Sequence, residues 1–201
     1  MNKKSDRIRL ICYIATLLLI LAYPAYRIKS FEFPSGKPAR FKFEVTLYDP
    51  YDPFRGRYVR LNCEGRCETG RIVGDAWMRE AWVLLERDGD GMARAVEIAE
   101  SREELAGRGE CIRVKDVRRV MPGESYWDRA SGDMVKAEAA VYTFRYPFEK
   151  YFANEKVAPE LEKSMRESVS GGGRTLLTAD VYPDGSWVLR DLTILSGEGE
   201  K

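Results

Sequence analysis

Few side chains in this sequence could carry catalytic chemistry, and histidine is absent from all 201 residues. Without imidazole there is no His-dependent triad and no usual catalytic zinc site. An enzyme would have to use carboxylates, Lys, Tyr or Cys. Glu149, near Tyr146 and Tyr151, would suit a general acid if burial raised its pKa, although such a Glu more often bonds backbone or an Arg. No catalytic set accompanies it, so we predict neither catalytic residues nor a cofactor.

Three cysteines, Cys63, Cys67 and Cys111, lie outside the N-terminal apolar segment. In a straight strand Cys63 and Cys67 would be about 13 Å apart and unable to bond, whereas a turn at Gly65 would bring them together. Disulfides persist outside the cytoplasm, so we predict a bridge between two of the three, with free thiols as the alternative. A metal site would lack a fourth soft ligand, and we predict none.

Tryptophan could supply a second kind of site. Four residues of this type could form a platform for glycan stacking, but scattered tryptophans in a β domain are usually part of the core. They are Trp77, Trp82, Trp127 and Trp187.

A long uncharged apolar segment lies near the N-terminus. Residues 10–26, LICYIATLLLILAYPAY, are bounded by Arg9 and Arg27. As a helix the segment would measure roughly 26 Å, and the two arginines can snorkel across the remaining hydrocarbon thickness. We predict a transmembrane anchor at 10–28. A cleaved signal peptide is the alternative, but bulky residues or Pro24 interrupt each Ala-x-Ala pattern.

The basic residues flanking this segment predict its direction. Four precede it and three follow closely: Lys3, Lys4, Arg7 and Arg9, then Arg27, Lys29 and Lys37. The positive-inside rule places a basic tail, residues 1–9, in the cytoplasm and the remaining chain on the periplasmic or extracellular face.

The charge of that remaining chain excludes one class of partner. Residues 31–201 contain 27 basic and 31 acidic side chains, without a basic block. A mildly acidic domain lacks the electrostatic footprint for a phosphate backbone, so we predict no nucleic-acid partner.

Hydrophobic periodicity predicts a β-rich domain at 39–196, after a linker at 29–38 and before a short tail at 197–201. Residues 40–48, RFKFEVTLY, alternate apolar and polar side chains as a half-buried strand does. We predict further strands at 57–64, 81–87, 92–99, 111–120, 134–146, 175–182 and 186–195, with a turn or loop between Gly65 and Gly70. Residues 88–91 and 183–185 have hairpin-turn chemistry. Residues 159–168 predict one short helix. The expected class is α+β, mainly β, with an antiparallel sheet domain.

Residues 49–64, DPYDPFRGRYVRLNCE, resemble the signature of the GDYXXLXY family, which comprises bacterial membrane-anchored proteins. Six residues match the motif or its lead-in: Asp52, Pro53, Arg55, Gly56, Tyr58 and Leu61. Arg57 replaces the motif's Asp, and Cys63 replaces its last Tyr. Residues 146–152, YPFEKYF, look like the family's aromatic and Glu segment. The resemblance implies an N-terminal anchor, an external domain and company with multi-span membrane proteins; it implies no established activity.

The motif has two interpretations. Gly56 is most simply a turn glycine, with Tyr58 and Leu61 in the core or on a sheet face. Alternatively, the segment lines a groove for a ligand or partner, since Arg and Tyr are common interface anchors. The candidate binding residues are Arg55, Gly56, Tyr58, Leu61, Tyr146 and Glu149.

From these features we expect a non-enzymatic accessory or interaction module of the bacterial cell envelope. It would be integral to the membrane through one span and would engage another membrane or envelope protein. A carboxylate-based or Ser/Lys envelope hydrolase is the alternative.

Overall fold

The structure, a computed structural model, describes residues 3–32, 36–47, 58–128, 132–152, 158–170 and 172–195. The chain divides into two compact units, Met1–Gly36 and Lys37–Lys201. Each unit has its own architecture.

The first unit contains one helix, α1 (Lys3–Glu32). The predicted linker at 29–38 therefore begins inside α1. The apolar side chains described on α1 are exposed; Leu19, for example, is 76% exposed. None of the helices in the described part of the chain has the length and apolarity that a membrane crossing requires. The predicted span at 10–28 thus gains no support from the structure.

The second unit is built mainly from β-strands. Its described residues form one 3-10 turn (Glu103–Leu105), one helix, α2 (Ala158–Ser170), and twelve strands: β1 (Ala39–Leu47), β2 (Tyr58–Asn62), β3 (Glu64–Thr69), β4 (Trp77–Arg87), β5 (Ala93–Ala99), β6 (Cys111–Val120), β7 (Ser125–Asp128), β8 (Asp133–Lys136), β9 (Ala140–Arg145), β10 (Lys150–Phe152), β11 (Arg174–Val181) and β12 (Trp187–Leu195).

Ten of these strands form two five-stranded sheets. Sheet 1 has the order β10-β2-β1-β11-β12, and sheet 2 has the order β3-β9-β6-β4-β5. Strands β7 and β8 form a separate hairpin. All strand pairs within the described residues are antiparallel. The α+β, mainly β prediction is confirmed, including the short helix.

The two sheets are joined by a pair of strands that passes from one to the other. β2 continues into β3 through Cys63, and β9 continues towards β10 through Tyr146. The Tyr146 amide donates to the Cys63 carbonyl at 2.9 Å, so the two strands stay paired where they change sheets. Two-sheet folds commonly make corners in this way.

Gly65 allows this corner to pack. The turn predicted between Gly65 and Gly70 is wrong, because Gly65 lies inside β3 opposite Phe144. A Cβ on Gly65 would lie 2.6 Å from Cε2 of Tyr146 and closer still to the Phe144 ring. Glycine is therefore required here by the close approach of two rings to the strand backbone, not by turn geometry.

The core lies between the sheets and includes a group of aromatic rings. Phe43 of β1 lies 4.8 Å from Tyr146 and 4.7 Å from Phe148, both in edge-to-face geometry. Such pairs add roughly 0.5–1.5 kcal/mol each beyond burial. The alternation predicted for β1 is confirmed, since Phe41, Phe43 and Val45 are buried.

The strand predicted at 134–146 is in fact two strands, β8 and β9. β8 pairs with β7 instead of extending β9. Just after β8, the Ala137 amide donates to the carbonyl of Glu124, the residue before β7, at 2.8 Å. The chain between β8 and β9 is thus still bonded to the β7 side of the hairpin. The hairpin packs through Tyr126 on Val120 and Val141, and this small apolar cluster, with Ala137, favours two strands over one.

A buried carboxylate links three strands of sheet 1. Asp180 on β11 accepts from Arg40 Nε at 2.8 Å and from Arg190 Nε at 2.6 Å. Only 3% of the Asp180 side chain is exposed. The hydrogen bond from Arg40, and then that from Arg190, holds the pKa of Asp180 below its usual value despite burial.

Asp180→Asn should therefore destabilise the protein in a pH-dependent way. A carboxylate whose pKa is lower in the folded state contributes stability above its unfolded pKa, near 3.9, and loses it as pH falls through the folded pKa. In urea denaturation at pH 7 we expect the free energy of unfolding to be about 1–3 kcal/mol lower for Asp180→Asn than for the parent. This difference should become smaller below about pH 4. Glu86→Gln, an exposed control, should change the unfolding free energy by less than about 0.5 kcal/mol. A deficit for Asp180→Asn that is equal at pH 7 and pH 3 would contradict the ion-pair account.

Candidate functional site

One site-like feature is a cavity of about 570 Å³, which we name the groove. Strands β3, β9 and β6 contribute residues to it from sheet 2, and β1 of sheet 1 contributes Glu44. The β7–β8 hairpin contributes Tyr126, Trp127 and Met134. The volume lies within the range of roughly 300–1,000 Å³ that is typical of ligand sites.

Strand register explains why polar side chains line the sheet side of the groove. Thr143 on β9 is opposite Arg66 on β3 and Arg118 on β6. Their neighbours Cys67 and Tyr142 are buried in the core. Because side chains alternate between faces, Arg66, Thr143 and Arg118 form a row on the outer face of sheet 2.

The row continues to an aromatic ring on the next strand. Trp77 of β4 is opposite Arg118, and the Arg118 guanidinium lies over its ring, 5.5 Å from the centroid. Trp77 is 67% exposed. Within the described residues no carboxylate pairs with Arg118. This distance is that of a cation–π contact, which holds the guanidinium beside the ring.

A β-bulge brings Asp116 into the site. The register between β6 and β9 shifts between Lys115 and Arg118, and Asp116 has φ of +52°. Within the described residues it is the one non-glycine residue in this left-handed region. Bulges re-aim side chains beside functional sites. Here the Asp116 carboxylate lies 3.6 Å from Arg145 Nε, and both residues line the groove.

A smaller cavity of about 110 Å³, which we name the cleft, collects three of the predicted binding residues: Leu61, Tyr146 and Glu149. It shares Asp116 and Arg145 with the groove. The Leu61 amide donates to the Glu149 carbonyl at 3.0 Å, so the pairing of the two strands holds these segments together.

The roles of these three residues differ. Leu61 and Tyr146 are buried, and burial raises the pKa of Tyr146. Glu149 is 57% exposed and its carboxylate lies 3.2 Å from Lys115 Nζ. Glu149 therefore forms an ion pair at the surface and is not the buried carboxyl group that a general acid requires. Arg55 and Gly56 lie outside the described residues, as does the side chain of Tyr58.

The predicted disulfide is absent from the described residues: Cys63, Cys67 and Cys111 form no disulfide, and all three are buried. No turn at Gly65 brings Cys63 towards Cys67, since β3 is extended there. Burial raises the pKa of Cys67 to about 12, which keeps it a protonated core thiol. Cys111 packs in a separate cluster with Leu84 and Leu105.

The tryptophans divide into two kinds. Trp82 and Trp187 are partly buried against core clusters, as expected. Trp77 and Trp127 are 67% and 59% exposed, so the core prediction is wrong for them.

Sequence reasoning missed the groove because it missed the hairpin. Its signal was two short apolar pairs, Tyr126-Trp127 and Met134-Val135, on either side of Gly132.

These features define a two-sheet antiparallel β domain with an open groove on the outer face of one sheet, after a separate N-terminal helix. The family model of the GDYXXLXY protein matches residues 21–192, so the chain belongs to this family. The resemblance seen in the sequence is thereby confirmed. No curated protein and no solved structure matches the chain.

Paired substitutions at Asp116 test the bulge. Asn tolerates the left-handed region, whereas a β-branched residue there is strained, so Asp116→Val should lose about 1–2 kcal/mol more than Asp116→Asn. The Asp116 and Arg145 side chains are 59% and 56% exposed, and loss of this exposed charge pair should cost little. Urea denaturation measures both variants. Equal unfolding free energies would mean that Asp116 does not hold positive φ in solution.

Proposed function

We propose that this chain is a non-enzymatic accessory or interaction module of the bacterial cell envelope, and that its groove receives part of another membrane or envelope protein. The observation that carries the proposal is the groove itself, which combines exposed apolar side chains with an oriented arginine. Trp127 and Met134 are opposite each other in the hairpin and are 59% and 61% exposed. Large exposed apolar side chains grouped in one concave site are typical of binding surfaces.

The composition of the groove also supports binding to a protein. Tryptophan, methionine and arginine are enriched at protein interfaces, and tryptophan and arginine dominate their hot spots. The groove contains Trp127, Met134 and Arg118. The buried cluster of Val120, Tyr126 and Val141 packs the hairpin that carries Trp127 and Met134.

The alternative, a carboxylate-based or Ser/Lys envelope hydrolase, has weaker support. Glu149 and Asp116 both line the cleft, but each carboxylate is more than half exposed and is paired with a basic side chain. Acid catalysis at neutral pH usually depends on burial that raises a carboxyl pKa. The cleft is also small, at about 110 Å³.

We also propose attachment to the membrane through α1. Its residues 10–26 include no charged side chain, and the apolar side chains described on this segment are exposed. The excess of basic residues before this segment favours an N-terminus in the cytoplasm and a domain on the outer face. An interaction module at that face would meet envelope proteins.

Recovery of partners from membranes tests the proposal. Full-length tagged chain is crosslinked in bacterial membranes, extracted in mild detergent and purified, in the parent, Trp127→Ala and Ile72→Ala forms. Ile72 is 60% exposed and lies outside the groove, so it is a matched control. We expect Trp127→Ala to reduce the recovered partner roughly fivefold or more, as loss of a hot spot does, and Ile72→Ala to recover it fully.

Two results would count against the proposal. Recovery of a lone monomer under crosslinking would remove the partner, and equal recovery with Trp127→Ala would remove the groove as its site. The same membranes test the anchor, because an integral chain stays in the pellet after an alkaline carbonate wash. Release into the wash would contradict attachment through α1.

A further inference from the structure

We propose that the groove binds a polypeptide segment in which a carboxylate lies beside a large apolar side chain, with the carboxylate on Arg118 and the apolar group against Trp127 and Met134. This inference rests on the proposed function and names the chemistry of the partner. It follows from three features of the groove: one oriented guanidinium, an exposed apolar pair and two acidic residues.

Arg118 supplies the anionic subsite. Its guanidinium lies over the Trp77 ring, 5.5 Å from the centroid, and among the described residues it has no carboxylate partner. Among the described residues the guanidinium donates no hydrogen bond, so its N–H groups are left for a ligand. Those donors match a carboxylate in a bidentate pair. By contrast, Arg145 in the same groove already pairs with Asp116.

Hydroxyl groups extend this subsite. Thr143 is opposite Arg118 in the register, and Ser125 begins the hairpin; both line the groove. The Thr143 hydroxyl donates to the Arg118 carbonyl at 3.5 Å and can still accept from a ligand N–H, whereas the Ser125 hydroxyl can donate to a ligand oxygen. The polar groups around Arg118 therefore suit the carboxylate together with the backbone that carries it.

Trp127 and Met134 supply the apolar subsite. They are cross-strand partners on one hairpin, and each is about 60% exposed, at 59% and 61%. Methionine adapts its shape to varied apolar groups, and tryptophan offers a large rigid surface. A ligand that contacted Arg118 alone would leave this surface in water. The site is complete only for a ligand with an apolar group beside its carboxylate.

Two acidic residues favour a polypeptide over a free fatty acid. Glu44 and Glu64 also line the groove. A hydrocarbon tail lying along them would remove water from charged groups without replacing its hydrogen bonds, which is costly. A polypeptide can offer backbone N–H groups or a basic side chain to the same carboxylates. The mixed charges of the groove therefore complement an extended peptide.

Selection from a random peptide library tests the inference. The full-length chain in detergent micelles serves as bait, and the enriched peptides are synthesised and titrated against variants by fluorescence anisotropy. We expect them to share an Asp, a Glu or a free C-terminal carboxylate within two residues of an aromatic or long aliphatic side chain. Sodium decanoate is the competing probe for a free acid, and we expect it not to displace them.

The variants separate binding from folding. Arg118→Gln and Trp127→Ala should each raise Kd about tenfold or more, as for a hot-spot contact. Arg113→Gln is the matched control, since it lies on the same strand, is exposed and pairs with Glu80 outside the groove. It should leave Kd within about twofold. Trp77→Ala should weaken binding of acidic peptides but not of their amide analogues, because Trp77 is a positioning residue for Arg118. Thermal melting confirms that each variant is folded.

Several results would overturn the inference. These are enrichment of peptides without an acidic group, equal Kd values for Arg118→Gln and the parent, displacement by decanoate at comparable affinity, or no enrichment at all. The proposed function fails differently. If membrane partners still depend on Trp127 but not on Arg118, the groove remains an interaction site and only the carboxylate chemistry is wrong. If no partner depends on Trp127, both proposals fail.

Discussion

The second unit depends on the contact between the Gly65 backbone and the rings of Phe144 and Tyr146. At this point the paired strands leave sheet 1 and enter sheet 2. A side chain on Gly65 would occupy the space that the two rings fill. Within the described residues, this corner is the only place where two paired strands continue together from one sheet into the other. The aromatic core and the outer face of sheet 2 are both built from strands that leave this corner.

Successive side chains in a strand alternate between the two faces of the sheet, and this alternation places residues both in the core and in the groove. In β3 and β9, Cys67 and Tyr142 point inward, so Arg66 and Thr143 point outward. A slip of one residue at the corner would exchange the two sets and bury arginine in the core. The bulge at Asp116 adds one residue to β6 opposite β9, yet Arg118 still lies beside Thr143 on the outer face. Position on the outer face and packing in the core are therefore fixed by one register.

Local patterns predicted the parts of the fold that depend on local chemistry. The alternation in β1, the turns at 88–91 and 183–185, and helix α2 are all present. In α2, Met165 is fully buried, as its spacing from Leu161 predicts. The family resemblance could also be recognised from the sequence, because the motif that carries it is contiguous.

Features that depend on distant contacts were not predictable in this way. Gly65 looked like a turn residue because nothing nearby in sequence shows that two rings, 79 and 81 residues later, pack on it. The break between β8 and β9 arises from pairing with β7, and the groove exists only when that hairpin packs on sheet 2. Leu61, Tyr146 and Glu149 were among the six predicted binding residues, but the residues of the groove are spread over six strands and were not predicted.

The most direct test of the central role of the corner compares alanine at two glycines of the same segment. Gly65→Ala places a methyl group against the rings, and overpacking of this kind costs about 1–3 kcal/mol. A Cβ on Gly70 would meet nothing within 4 Å, so Gly70→Ala should be nearly neutral. The measurement is the free energy of unfolding from urea denaturation. The account predicts a loss for Gly65→Ala alone; equal stability of the two variants would contradict it.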